Sequence, residues 1–436
     1  MHGVTPTRSA PTAPGGNDVL QALSAQPGGP ALLALGSDRE DLALVGGAVR
    51  DLLLGRSPRE LDVVVAGDAP ALADELASLL GASTTAHERF GTAVVEWEQG
   101  RIDVAARRAE TYEAPGALPQ VRPGSTEEDL RRRDFTVNAI AVALGGSRRG
   151  QLTSAEHALE DLSAGRLRVL HEQSFSDDPT RLLRLARYRA RLGFEVEQRT
   201  AELAAKALAA GALATVSRAR VGAELRLALG EADAVGALEA LNELGMLHAI
   251  ASSSEGEPRL ALDPALARSA LALLPEDGRP DLLLMSSLLL ALVKDRSADP
   301  ELVMFELLDG LEFSAGERER IMRSALVAPA LGDEMAEAAK PSQLHDALFA
   351  HTLEAVALGA ALSGEGPDGL GGEAADWFQR LRHVRLAITG DDLLAAGIPS
   401  GPELGRRLDA ALARKLDGEL DDGREAELNA ALEARL

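Results

Sequence analysis

The sequence of 436 residues predicts an α+β fold, a mixed-sheet N-terminal head followed by an all-helical remainder. Three observations carry this. Up to about Leu144, apolar runs of strand length alternate with amphipathic segments of helix length. From Glu156 onward long Ala/Leu/Arg/Glu segments take over, with little β-branched alternation and with Gly or Pro only at joints. The change falls within a basic stretch of an acidic chain: residues 101–200 hold 17 Arg against 15 Asp plus Glu, whereas the whole chain carries −23.

The elements follow in order. Met1 to about Asn17 is rich in Pro, Thr, Ser and Gly, lacks the apolar core of a signal peptide, and reads as a disordered tail, residues 1–17. A helical pattern from Val19 to Leu35 is broken at Pro27-Gly28-Gly29-Pro30. Strands are expected around Ala43–Val45, Leu61–Ala66, Thr92–Trp97 and Arg101–Ala105, with helices at Val49–Leu54 and Pro70–Leu80. The stretch from Arg107 to Asp129 has no strong periodicity and reads as a long loop, a kind that is uncommon unless functional or disordered. These boundaries give a head over 18–145, a neck over 146–225, a body over 226–375 and a tail over 376–436.

Composition narrows the function. Apolar residues at 46% and charged residues at 26% suit a soluble globular protein, and no run of about 18 apolar residues predicts a membrane span. The absence of cysteine excludes disulfides, thiolate metal sites and cysteine nucleophiles, and fits a cytoplasmic protein. Aromatic residues at 3% are too few for a series of base-stacking platforms. The net charge opposes general binding to nucleic acid, but arginines cluster at Arg131 to Arg133 and from Arg181 to Arg191. No nucleophile elbow or Walker-type loop occurs, and the lone His345-Asp346 dipeptide lacks the partners of a phosphohydrolase.

The stretch Leu44-Val45-Gly46-Gly47-Ala48-Val49-Arg50-Asp51, with Glu60-Leu61-Asp62 soon after, carries the chemistry. A strand runs into a double glycine, whose backbone N–H groups can approach a triphosphate. Strand side chains alternate, so Glu60 and Asp62 are expected on one side of the next strand, where two carboxylates suit a pair of Mg²⁺ ions. Asp178 and Arg181 stand three apart on an expected helix and so share a face. A carboxylate beside a guanidinium matches the amino group and ring acceptor of cytosine or adenine, and opposes the carbonyls of uracil and guanine.

Downstream come Arg101-Ile102-Asp103-Val104, then Arg131-Arg132-Arg133-Asp134-Phe135-Thr136-Val137-Asn138-Ala139, then Asp177-Asp178-Pro179-Thr180-Arg181 leading into Leu183 to Phe194. With the glycine motif before them, these blocks resemble in order and spacing the class II tRNA nucleotidyltransferase and bacterial poly(A) polymerase family. The tail segments Ile388-Thr389-Gly390-Asp391-Asp392 and Gly397-Ile398-Pro399 also resemble it. Glu60 departs from the pattern, which has Asp there.

The resemblance implies a polymerase-beta-like head and a metal centre of Glu60, Asp62 and Asp103 holding Mg²⁺. One ion activates an RNA 3′-hydroxyl and the other bridges the triphosphate. It implies Gly46, Gly47 and Arg50 at the triphosphate, and Arg132, Asp134 and Asn138 at ribose and phosphate. Asp178 and Arg181, positioned by Asp177 and Arg184, then choose the base, and Arg108, Glu110 and Tyr112 form a lever loop. The activity implied is addition of C and A from CTP and ATP to the tRNA 3′ end, with the helical body and tail on the tRNA elbow. Addition of A only or CC only, poly(A) synthesis, and a weakened RNA-binding relative are the alternatives. The sequence leaves the oligomeric state open.

Overall fold

A computed structural model describes residues 15–87, 91–251, 260–294, 299–364, 370–421 and 423–434. The chain divides into two compact units, one ending at Val216 and the other starting at Ser217.

The first unit opens with helices α1 (Gly16–Ser24) and α2 (Gly29–Gly36). Gly16 and Asn17 are therefore helical, because Gly15 and the Asp18 carboxylate cap the chain there, whereas residues 1–14 lie outside the described residues. Next come β1 (Ala43–Val45), α3 (Gly47–Leu53), β2 (Leu61–Val65), α4 (Ala69–Leu80), β3 (Ser83–His87), β4 (Thr92–Trp97) and β5 (Gly100–Ala106). Helix α4 starts where Asp68 Oδ1 accepts from the Ala71 N–H at 3.0 Å, and it ends at Gly81, whose φ of 63° suits a residue without Cβ. Its apolar face, Leu72, Ala73 and Leu76, is buried.

The expected loop after Arg107 is instead a hairpin of β6 (Arg108–Thr111) and β7 (Gln120–Pro123), followed by α5 (Thr126–Arg131). Its strands are only four residues long, too short to declare a period, and Ala109 alone among their side chains is buried. A capping box of Ser125 and Glu128 starts α5.

The sheet gains β8 (Ile140–Ala143) and continues past Leu144 with β9 (Leu152–Ser154). Its seven strands run in the order β3-β4-β5-β2-β1-β8-β9. All neighbours are antiparallel except β2 and β5, which pair in parallel with Asp62 opposite Asp103. Leu44, Val63, Val65, Ile102, Val104, Ile140 and Val142 are among its buried positions.

The following stretch is not purely helical. After α6 (Ala158–Ala164) the two-residue strands β10 (Arg166–Leu167) and β11 (Glu195–Val196) pair in parallel on either side of α7 (Ser174–Asp177) and α8 (Thr180–Leu192). Strands of two residues are too short for alternation to reveal. Helix α9 (Gln198–Ala209) precedes the end of this unit.

The second unit is helical throughout its described residues. Helix Pro280–Lys294 buries Leu282, Leu283, Leu284, Met285, Leu288 and Leu289, apolar on nearly all sides as befits a central helix. Helices Ala315–Glu337 and Leu353–Leu362 cross closely at Gly359, where a Cβ would lie 2.9 Å from Leu331 Cβ. A separate cluster of Ile388, Leu393, Ala411, Ala430 and Ala431 closes the C-terminal part.

One buried charge ties the centre of this unit. Glu354 accepts from Arg320 Nε at 2.6 Å, from Arg320 Nη2 at 2.8 Å and from the Arg279 N–H at 2.7 Å. Glu354→Ala orphans both donors and is expected to cost about 2–4 kcal/mol, less than a fully buried pair because Arg320 keeps contact with water. Urea unfolding followed by Trp377 fluorescence in a Trp97→Phe background measures it.

Candidate active site

The parallel pairing of β2 with β5 sets Asp62 beside Asp103. Glu60 lies one residue before β2 begins, so it is not a strand residue as the alternation predicted. The turn nevertheless brings one oxygen of each of Glu60, Asp62 and Asp103 within 4.8 Å of the others. Burial, with the Glu60 and Asp103 charges adding to it, pushes the Asp62 carboxyl up to about 7, against the pull of Arg133 and Arg50. Arg101, two residues before Asp103 on the same strand face, grips it through Nε at 2.7 Å and Nη2 at 3.1 Å. Its guanidinium also stands 3.6 Å from Glu96 and 3.9 Å from Glu60.

The glycine turn adjoins the triad. Gly46 has φ of 71°, and a Cβ there would lie 2.5 Å from Arg133 Nη1 and 3.7 Å from Asp62 Oδ2. Glycine is thus favoured by the backbone conformation, and any Cβ would in addition push the tip of the Arg133 guanidinium aside. Gly47 is the first residue of α3.

Arg50, expected at the triphosphate, is instead 1% exposed. Its Nε donates to Asp51 Oδ1 at 2.8 Å and its Nη1 to Asn138 Oδ1. Asn138 Nδ2 donates in turn to Asp134 Oδ1 at 2.9 Å, and Arg184 Nε donates to Asp134 Oδ2 at 2.9 Å. Burial raises the Asp134 carboxyl, but Arg184, Asn138 and the Phe135 N–H outweigh it and hold it down to about 2. Arg50, Asp134 and Asn138 therefore form a buried wall behind the site, because each finds its partner inside the protein, and the half-buried Arg184 braces it from the outer side through Asp134. Tyr188 packs in this wall, with the Arg50 and Arg187 guanidiniums 5.4 and 5.3 Å from its ring centre.

A second group surrounds a cavity of about 420 Å³ lined in part by Glu110, Tyr112, Arg132, His171, Asp177 and Arg181. Arg181 is anchored by Nη1 to Ser174 Oγ at 2.8 Å and by Nη2 to the Arg132 carbonyl at 2.7 Å. Asp178 does not share a helix face with it. Pro179 holds Asp178 in extended backbone ahead of α8, where its Oδ1 accepts from the Thr180 N–H and hydroxyl at 3.1 and 2.7 Å. Asp177, at the end of α7, is the carboxylate among the cavity walls on that side. In the hairpin, Glu110 accepts from Arg108 Nε at 2.9 Å, from Arg132 Nη1 at 3.2 Å and from the Tyr112 hydroxyl at 3.0 Å. Burial and the Glu110 charge push the Tyr112 phenol well up, so it keeps its proton.

The family model for the poly A polymerase head domain matches residues 42–168. An A-adding tRNA nucleotidyltransferase of Halalkalibacterium halodurans is 44% identical over 215 residues, 49% of this chain and 50% of that one. A CCA-adding enzyme of a Geobacillus species is 30% identical over 393 residues, 87% of this chain and 90% of that one. The chain belongs to the class II tRNA nucleotidyltransferase family. A solved CCA-adding enzyme in an apo form superposes with a TM-score of 0.76 at 26% identity, covering 95% of this chain and 98% of that one. The chain spans about half the length of the Halalkalibacterium enzyme and less of two other A-adding relatives.

The three carboxylates of this nucleotidyltransferase-family head suit a divalent cation. They are hard oxygen donors that converge on one point, and burial first, then the neighbouring Glu60 and Asp103 charges, raise Asp62, so a cation there would relieve both. Four further residues belong to the site and escaped sequence reasoning: Arg101, Asp129, Arg133 and His171. Arg101 and Arg133 lay within the quoted motifs and Asp129 just before one, but nothing in the spacing says which arginine turns toward which carboxylate.

A carboxyl raised in the folded state contributes stability that is complete below the ordinary value of 3.8, declines as pH rises, and is gone above about 7. In chelator, the melting temperature of Asp62→Asn relative to wild type is expected to climb between pH 4 and pH 7 and then to level, with the variant the more stable at pH 8.

Proposed function

We propose that this protein adds nucleotides to the 3′ end of tRNA from ATP and CTP, with Mg²⁺ held by Glu60, Asp62 and Asp103. The observation that carries the reading is the convergence of those carboxylates beside the Gly46 turn, on a head whose relatives are tRNA nucleotidyltransferases. When bound, the divalent ion supplies Lewis-acid activation of a hydroxyl nucleophile and charge neutralisation for the triphosphate. The protein's own residues position the rest. Gly46 leaves the approach to the triad open, and Arg133 beside Asp62 meets developing negative charge on the phosphates.

Base choice is assigned to Arg181, Asp178 and Asp177. Arg181 is held rigid by Ser174 and the Arg132 carbonyl, so its remaining N–H groups are fixed in direction. Asp178 is held by Thr180. Cytosine and adenine offer an amino donor and a ring acceptor to such a carboxylate and guanidinium, whereas uracil and guanine place a carbonyl against the carboxylate. The mismatch leaves a buried acceptor unpaired at about 1–3 kcal/mol. Arg181→Ala is accordingly expected to raise UTP and GTP use relative to CTP and ATP roughly ten- to a hundredfold. Competition assays with all four nucleotides test this.

A single template that fits both bases supports full CCA addition, and Arg108, Glu110 and Tyr112 form the lever that adjusts it as the RNA end grows. A-only addition is the second reading, favoured by the 44% identity of the A-adding relative over 215 residues. The two readings part on three tRNA substrates, ending at the discriminator base, after one C, and after CC, each with CTP and ATP separately and together. Full addition predicts extension of all three. Extension of the CC-ended substrate alone establishes A addition, a stop after CC removes both readings, and Asp62→Asn is expected to lose activity roughly a thousandfold.

A further inference from the structure

Asp129 lies on α5, is 1% exposed and falls in none of the motifs that carry the site. Its carboxylate takes donors from three residues. Oδ1 accepts from Arg132 Nε at 3.0 Å, from Arg132 Nη2 at 2.7 Å and from the Arg108 N–H at 3.4 Å. Oδ2 accepts from Arg133 Nη2 at 3.1 Å. Arg132 and Arg133 are consecutive residues at the point where α5 ends, and they diverge. Arg132 lines the nucleotide cavity and reaches Glu110, whereas Arg133 stands at Gly46 beside Asp62.

We propose that Asp129 is a positioning residue that fixes, through one carboxylate, an arginine at the acidic triad and an arginine at the nucleotide cavity. The inference rests on the functional reading above, because it assigns the two arginines to the metal and nucleotide parts of one site. Two adjacent guanidiniums repel each other, and an anion between them is what allows both to sit close by in fixed directions. Arg133 Nε is buried and makes no hydrogen bond, so the bond from Nη2 to Asp129 is the tether on this side chain among the described residues. Released, its guanidinium, whose charge already acts on Asp62, is free to turn toward that carboxylate and compete with a cation for it. On the other side, Arg132 released from Asp129 keeps, among the described residues, only Glu110 as a side-chain partner, which lies on the hairpin. Burial raises the Asp129 carboxyl, yet Arg133 and Arg132 hold it below the usual range, so it stays charged across working pH.

A buried ion pair that served the fold alone would leave the site's affinities untouched, and this separates the two roles. Mn²⁺ affinity, read from the paramagnetic resonance of free Mn²⁺, needs no turnover. Asp129→Asn is expected to weaken Mn²⁺ binding about tenfold, and Asp129→Asn in an Arg133→Gln background is expected to change it little, because the effect passes through Arg133. On the nucleotide side, Asp129→Asn is expected to raise the KM for ATP more than it lowers kcat, and to raise it no further when Arg132→Gln is already present.

Equal weakening with and without Arg133 would mean a through-space charge effect and overturn the proposal. So would a lowered melting temperature with Mn²⁺ affinity and KM at wild-type values. Asp129→Glu, which keeps the charge one methylene further out, serves if the Asn variant does not fold, and wild-type Mn²⁺ affinity there despite a shifted KM overturns the triad arm. Wild-type protein that binds Mn²⁺ through Asp62 but incorporates no nucleotide overturns the functional reading and leaves the Arg133 cycle standing. Absence of Asp62-dependent Mn²⁺ binding overturns both.

Discussion

Holding three carboxylates together against their own repulsion is the constraint around which the head is organised. The parallel pairing of β2 and β5 forces Asp62 and Asp103 to be neighbours, and the turn before β2 adds Glu60. The sheet's apolar positions hold the backbone in that register, and burial together with the neighbouring Glu60 and Asp103 charges leaves the Asp62 carboxyl raised. Every nearby arginine can be read as a response to this charge. Arg101 covers Asp103 from the exposed side, and Arg133 approaches Asp62 from the side of Gly46. Gly46 adopts a φ of 71° that suits a residue without Cβ, and the Arg133 guanidinium fills the space beside it.

Arginine does two separate jobs in the first unit. Arg50 is buried and tied to Asp51 and Asn138, and Arg184, half-buried, is tied to Asp134, so that together they brace α3 and α8 against the segment before β8. Arg132, Arg133 and Arg181 keep part of their surface toward the triad or the cavity while an internal acceptor sets their direction. The difference matters chemically. A guanidinium with all its partners inside lends stability and a diffuse field, whereas one with fixed orientation and remaining donors can meet a ligand without reorganising. The basic stretch between residues 101 and 200 is thus mostly scaffold and partly site, in a chain whose net charge is −23.

The sequence by itself determined the fold class and most of the head. Observed β1 and β4 coincide with the expected strands, and β2, β5, α3 and α4 differ by one or two residues, because apolar runs bounded by Gly, Pro and Asp state their own limits. The acidic triad was legible too, since carboxylates inside apolar strands are conspicuous and the glycine turn stands beside them. The hairpin after Arg107 was not, its strands being too short to show alternation, and neither were the fully exposed β3 or the short β8, β9, β10 and β11. What only the tertiary structure decided is partnership. Spacing placed Asp178 and Arg181 on one helix face, but Pro179 imposes extended backbone on Asp178 and breaks that relation. The family resemblance likewise offered Arg50 to a ligand, when Asn138, distant in sequence, takes its hydrogen bond. A side chain's type is local information; which of several opposite charges it faces depends on contacts between segments far apart in the chain, and those exist only once the sheet has closed.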